Sequence, residues 1–213
     1  MKQKIDVVGI SCDDAGDFST AAQKALNEAE VIFASGDQEA TIQCYFPKLQ
    51  AQFKPYPKPI SELEKSLPSY QSKKIVMMAL GDPLFYGIGA ILLRFLSAEQ
   101  LRFHSAISSL QAALSRFSIP WNDLAVLSLH GRSLSSLSTV LGAKGRYGVL
   151  TDEKNSPQRI AGKLVEMGQE NAVIRIAESL GRSDEKLSTY RAAELVDGKQ
   201  HFSSLLILII DIA

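Results

Sequence analysis

The residue types best suited to ligand chemistry are gathered in Gly81-Asp82-Pro83-Leu84-Phe85-Tyr86-Gly87-Ile88-Gly89, between the apolar run Lys74 to Leu80 and an amphipathic helical pattern. This is the junction of a strand's carboxyl end with a helix, the edge at which open α/β sheets bind ligands, and its glycines allow close backbone approach. The glycines do not form GxGxxG, no Lys-Ser/Thr pair follows, and Asp82 would repel a pyrophosphate, which argues against nucleoside triphosphates and dinucleotides. An aspartate there suits a ligand with hydroxyls or a positive centre. The same residues also read as a plain turn, with Asp82 capping the helix and Pro83 at its first position.

Other catalytic constellations are missing. There is no Ser-His-Asp set, reactive-cysteine signature or paired-carboxylate motif, and His104, His130 and His201 are too scattered to suggest a metal site. Cys12 and Cys44 lack CxxC spacing, which argues against a zinc ribbon and offers no disulfide framework; they read as reduced, semi-buried thiols.

The surrounding pattern alternates strand and helix. Ile5 to Ile10 is a strand, followed by a helix with a Thr20–Gln23 capping box and a face of Ala21, Ala22, Ala25, Leu26 and Ala29. Val31 to Ala34 and Lys74 to Leu80 are further strands, and Ser61 with Glu64 fits a second capping box. Ile88, Ile91, Leu92, Phe95 and Leu96 give a helix after the glycine-rich segment. Leu101 to Ala106 is a strand, and a helix capped by Ser108 with Gln111 ends before Pro120.

Beyond Pro120-Trp121 come strand Ala125 to Leu129, helix Leu134 to Leu141, strand Tyr147 to Leu150 and a helix capped by Ser156 with Pro157 at its first position. Val173 to Ala177 and the continuously apolar Leu205 to Ile212 close the chain as strands, with a hairpin region between them. This alternation predicts an α/β protein with largely parallel or mixed sheets. About nine strands are many for one open sheet, and Ser118 to Asn122 offers a joint, so two α/β domains are expected, 1–115 and 116–213.

Composition bounds the partners. The 213 residues carry 23 basic and 23 acidic side chains, a net charge of zero that gives no support to sequence-blind nucleic-acid binding. Area scaling lets roughly 70% of the unfolded chain's surface be buried, enough for a sizeable core. The start lacks a signal-peptide pattern and no apolar run is long enough to span a bilayer, so a cytoplasmic protein is expected.

Strand-GDPLFYG-helix, followed by Ile107-Ser108-Ser109, resembles the tetrapyrrole methylases, whose cofactor is S-adenosylmethionine. Within that superfamily Phe103 to Ser109, Pro120-Trp121, Ser128-Leu129-His130-Gly131-Arg132 and Leu150-Thr151-Asp152-Glu153-Lys154-Asn155-Ser156-Pro157 resemble the precorrin carbon-5 methyltransferases of the precorrin-6Y/precorrin-7 step. The resemblance implies two α/β domains, a homodimer, and a cofactor in the trough between domains. Carried over by position, it implies cofactor contacts from Ile10, Gly81, Asp82, Pro83, Phe85, Ser108, Ser109, Leu150 and Ala177. Ser108-Ser109 also sits where a helix N-terminus can bind the cofactor's carboxylate. The chain departs from the superfamily's GxGPGD loop, reading Gly9 to Asp17 as GISCDDAGD, which leaves open the role of Asp14 or Asp17.

Methyl transfer from a sulfonium needs alignment and water exclusion, and neither metal nor covalent enzyme intermediate. The catalytic proton acceptor is not named by the sequence. A substrate with acetate and propionate groups calls for cations, and Arg132 and Lys154 are favoured over Lys144, Arg146, Arg159 and Arg182 because they lie within the subfamily-like motifs. His130 is the third substrate candidate, with an ordinary half-buried histidine as the competing reading. A separate partner is expected for carbon-15 methylation and decarboxylation. The alternatives are a methylase of uroporphyrinogen or another precorrin carbon, a macromolecule-acting relative such as a diphthine synthase or ribosomal RNA ribose methyltransferase, and a non-catalytic binding protein.

Overall fold

The computed structural model describes residues 4–129, 131–134, 137, 141, 144–196 and 198–213, which form two compact units, 1–108 and 109–213. In the first, strands β1 (Ile5–Ile10), β2 (Val31–Phe33), β3 (Gln52–Lys54), β4 (Ile75–Leu80) and β5 (Leu101–His104) make an all-parallel sheet of order β3-β2-β4-β1-β5. The pleat divides its side chains between two cores. Val8, Ile10, Ile32, Val76 and Met78 pack with helices α1 (Thr20–Glu28) and α2 (Gly36–Tyr45). Val7, Val31, Phe33, Ile75 and Met77 pack with α3 (Leu63–Ser66) and α4 (Ile88–Leu92). Helices therefore cover opposite faces, and β1 and β4 read as near-continuous apolar runs because both faces are buried.

Three local expectations are corrected. Helix α1 is capped by Ser19, not Thr20: Ser19 is extended and its hydroxyl accepts the Ala22 amide at 3.2 Å, while the Gln23 side chain reaches back to the Phe18 carbonyl at 2.9 Å. Ser61 caps nothing, because Pro59 sets the entry and a 3-10 turn already begins at Ile60. Helix α4 ends at Leu92; Arg94 and Phe95 donate to carbonyls three residues back, tightening the chain while Phe95 and Leu96 still reach the core. Helix α2, with a complete Ser35–Gln38 capping box, and strand β3 are additional to the pattern read from sequence.

The second unit holds β6 (Leu124–Ser128), β7 (Gly145–Leu150), β8 (Val173–Glu178), β9 (Lys186–Arg191) and β10 (Leu206–Ile212) in the order β6-β7-β10-β8-β9. The pair β6 and β7 is parallel; β10 runs antiparallel to β7 and β8, and β9 to β8. Helix α5 (Ser109–Arg116) sets Leu110 over Gly148, where an added Cβ would lie 2.7 Å from the leucine. The other face is packed with Ile160, Ala161 and Leu164 of α6 (Pro157–Glu166) and Ala192 and Leu195 of α7 (Ala192–Val196). Ser156 accepts the Arg159 amide and Pro157 opens α6, as its sequence implies. The helix expected over Leu134 to Leu141 falls mostly outside the described residues; Leu137 and Leu141 are buried. Among the described residues no helix is long and apolar enough to cross a membrane.

Candidate functional site

Neighbouring strands β1 and β4 send their chains to opposite faces, β1 to α1 and β4 to α4. Their carboxyl ends thus bound a topological switch point, where open α/β sheets form a ligand crevice. Ile10 pairs with Leu80 in register, and the Gly81 amide extends the ladder to the Ile10 carbonyl at 2.7 Å. On the other side of β1, Cys12 donates to the Ile107 carbonyl at 2.9 Å. Gly81, at φ +61°, packs so tightly on the β5 exit that an added Cβ would lie 2.7 Å from the Ser108 Cα. The structure thus brings Ile10, Gly81 and Ser108 together at one edge.

The loop after Gly81 is not the helix cap that one reading of its sequence suggests. The Asp82 carboxylate accepts the Leu84 amide at 2.7 Å, closing an Asx turn, and α4 starts only at Ile88. Its second oxygen has no partner among the described residues. Pro83 is buried; its carbonyl accepts the Gly89 amide at 2.9 Å, and a Cβ on Gly87 or Gly89 would lie 2.7 Å from that oxygen. These glycines serve backbone packing, and the half-buried Phe85 meets Tyr86 edge to face.

What sequence reading missed here is a set of stranded apolar side chains. Residues 75–79 of β4 are buried, yet Leu80 is 63% exposed, Leu84 48%, Tyr86 51% and Ile107 36%. Large apolar groups left in water beside a switch point make this edge the candidate site. Their signal was present in the apolar letters at a strand exit, but exposure is not legible from composition.

The loop after β1 is tied to itself. Ser11, 5% exposed, accepts the Asp13 and Asp14 amides, and Asp14 accepts the Gly16 amide at 2.8 Å. Asp14 and Asp17 are exposed, Cys12 is half-buried, and Cys44 is exposed rather than semi-buried; neither cysteine is in a disulfide. Ser108 is buried immediately before α5, whose first residue is Ser109. At the amino half of the same sheet, Asp6 accepts two bonds from Arg102, at 2.6 and 2.9 Å, and lies 2.6 Å from His104 Nε2. Burial works to raise the Asp6 pKa, but these two partners outweigh it and hold the carboxyl below its ordinary value. A groove of about 820 Å³ runs past this cluster, away from the carboxyl edge.

In the second unit Leu150 and Ala177 stand in one row, each paired in register with Ile207 of β10, and Ser128 extends that row. The loops leaving β6 and β7 are joined by Asp152 and Asn155. Asp152 accepts the Gly131 amide at 2.7 Å, with the Lys154 and Asn155 amides at 3.1 and 2.9 Å; the Gly131 bond is the largest cause holding its pKa below the usual carboxylate range. Arg132 and Lys154 are exposed and make no ion pair among the described residues. Arg146 is committed to Asp211, and Arg159 donates to the Lys154 carbonyl. His130 lies outside the described residues. Among the described residues no His, Cys, Asp and Glu cluster could hold a metal.

An all-parallel sheet with exposed apolar side chains at its switch point in one unit, and a mixed sheet in the other, define a two-unit α/β fold. The family model for Tetrapyrrole (Corrin/Porphyrin) Methylases matches residues 4–196, and the chain belongs to that family. It is 30% identical over 183 residues to the cobalt-precorrin-7 C(5)-methyltransferase of Salmonella typhimurium, covering 86% of this chain and 88% of that protein. It is 28% identical over 200 residues to the precorrin-6Y C(5,15)-methyltransferase [decarboxylating] of Sinorhizobium sp, covering 92% of this chain but spanning only 47% of that relative's length. Among solved structures, the precorrin-6Y methylase of Archaeoglobus fulgidus superposes with a TM-score of 0.74 at 19% identity, over 99% of this chain and 98% of that one. The uroporphyrin-III C-methyl transferase of Thermus thermophilus, solved with S-adenosyl homocysteine, gives 0.77 at 19% identity, over 98% and 97%.

Proposed function

We propose that this chain is an S-adenosylmethionine-dependent C-methyltransferase that methylates carbon 5 of a precorrin, of the cobalt-precorrin-7 or precorrin-6Y type, in cobalamin biosynthesis. The observation that carries the reading is the exposed apolar rim of Leu80, Leu84, Tyr86 and Ile107 around the Gly81 turn. The similarity to C5-methyltransferases supports the choice of ring carbon.

The residues at the edge fit such a cofactor. The rim offers apolar area to a purine and to the carbons around a sulfonium, and the unengaged oxygen of Asp82 offers an acceptor to a ribose hydroxyl. Ile10, Gly81, Pro83 and Phe85 shape the crevice, and Ser108 and Ser109 at the start of α5 suit a carboxylate; Leu150 and Ala177 stay in the reading as contacts implied by the resemblance alone. S-adenosylmethionine supplies, when bound, a methyl group already activated on sulfur. The chain's own residues then hold two partners in line and keep water out, tasks that ask for shape and apolar surface more than for a nucleophile.

Arg132 and Lys154, with His130, are proposed to meet the substrate's carboxylates. A homodimer belongs to the same reading, as does a separate protein for carbon-15 methylation and decarboxylation; the Sinorhizobium relative carries both ring positions by name. The test is incubation with methyl-labelled cofactor and the precorrin-6/precorrin-7 pool, followed by NMR of the product. One label at carbon 5 is expected; label at another ring carbon, or none, overturns the assignment.

A further inference from the structure

We propose that Asp152 and Asn155 are positioning residues that clamp the Leu129–Arg132 turn so that Arg132 is pre-set to meet a carboxylate of the macrocycle; this rests on the function proposed above. The turn closes with the Arg132 amide on the Leu129 carbonyl at 2.9 Å, and Gly131 takes φ +68°. Leu129 is anchored in the core, but Gly131 and Arg132 are exposed, and a Cβ on Gly131 would meet nothing within 4 Å.

Two side chains from the next strand exit hold it. Asp152 Oδ2 takes the Gly131 amide, while Asn155 Nδ2 lies 3.0 Å from the Leu129 carbonyl, 3.2 Å from the Arg132 carbonyl and 3.0 Å from Asp152 Oδ1. The two amide hydrogens of Asn155 are thus shared among three acceptors, one of them belonging to the other clamp residue. Asn155 is 3% exposed, so this amide is buried beneath an exposed turn. The turn's amide and both its terminal carbonyls are therefore fixed from outside the turn.

The charges fit the same purpose. Arg116 is paired with Glu185, and Arg146 and Arg175 with Asp211, whereas Arg132 has no ion-pair partner among the described residues. Arginine recognises carboxylates through a rigid fork on a flexible stem, and the backbone that bears it sets where that stem starts and how far the fork can reach. Fixing that backbone beforehand removes ordering cost from binding.

A merely structural clamp would lower stability and leave substrate recognition alone, so the test is a double-mutant cycle in KM. Asp152→Asn and Asn155→Ala are measured alone and with Arg132→Ala, following KM for the precorrin substrate, kcat, and S-adenosylhomocysteine affinity by calorimetry. Each clamp variant is expected to raise KM about tenfold, with kcat and S-adenosylhomocysteine affinity within about twofold, and to add nothing in the Arg132→Ala background. An unchanged KM, an equal further rise in that background, or a matching loss of S-adenosylhomocysteine affinity overturns the proposal. Should Asn155→Ala not fold, Asp152→Asn, at a less buried site, carries the test. A wild-type chain that methylates no precorrin overturns both readings; wild-type turnover with an indifferent Asp152→Asn variant overturns this one alone.

Discussion

Gly9 and Gly81 meet backbone to backbone across β1 and β4: a Cβ on Gly9 would fall 2.0 Å from the Gly81 carbonyl oxygen. No rotamer relieves that overlap, because both partners are main chain. The switch-point crevice thus depends on two positions without side chains, 72 residues apart in sequence, which bring the exits of β1 and β4 close enough for Gly81 to bond to Ile10.

Gly81→Ala should damage this edge twice. The left-handed conformation costs an L residue about 1–2 kcal/mol, and the new methyl must displace the chain at Ser108. Calorimetry should find S-adenosylhomocysteine affinity at least about tenfold weaker in a chain that remains folded. Wild-type affinity in this variant would detach the turn from the cofactor site.

Leu80 gives the complementary case. Being 63% exposed, it contributes little to folding, and Leu80→Ser should change stability by less than about 0.5 kcal/mol. If the rim covers the cofactor, the lost apolar area should weaken binding by about 1–2 kcal/mol. Thermal unfolding and calorimetry on one sample separate the two quantities.

Asp6 predicts an acid limit for the first unit. Its pKa is lowered in the folded chain, so its contribution is fully present above the unfolded value of about 3.9 and is lost as pH falls through the lower folded value. Asp6→Asn should cost about 1–3 kcal/mol at neutral pH, from the lost bonds to Arg102 and His104. Its Tm should then fall less steeply than that of the wild type between pH 4 and pH 2. Parallel curves would show that the Asp6 cluster is not what acid disrupts.

Gly162 offers a stabilising change. It lies inside α6, has ordinary backbone angles, and a Cβ there would meet nothing within 4 Å. Gly162→Ala should therefore stabilise the second unit by about 0.5–1 kcal/mol and raise Tm by about 1–4 °C, read by scanning calorimetry.

Much of this architecture is local and so was readable beforehand. The apolar runs of β1, β4 and β10, the Ser156-Pro157 start of α6 and the turn residues at Gly81 act over a few neighbours, where propensity and pattern decide. Where two local solutions compete, the letters mislead: Thr20 and Ser61 fit a capping template, but Ser19 and Pro59 already set those helix starts. Strand β3, of three residues, shows only in its pairing with β2.

The sequence alone determined the α/β alternation, the glycine-rich edge and the motif residues, because backbone conformation and apolar periodicity are written in adjacent side chains. Tertiary structure decided that Leu80 is stranded in water, that Ile207 stands between Leu150 and Ala177, and that Asp152 and Asn155 clamp a turn more than twenty residues away. Those outcomes depend on strand order and register, set by the packing of distant segments rather than by any one of them.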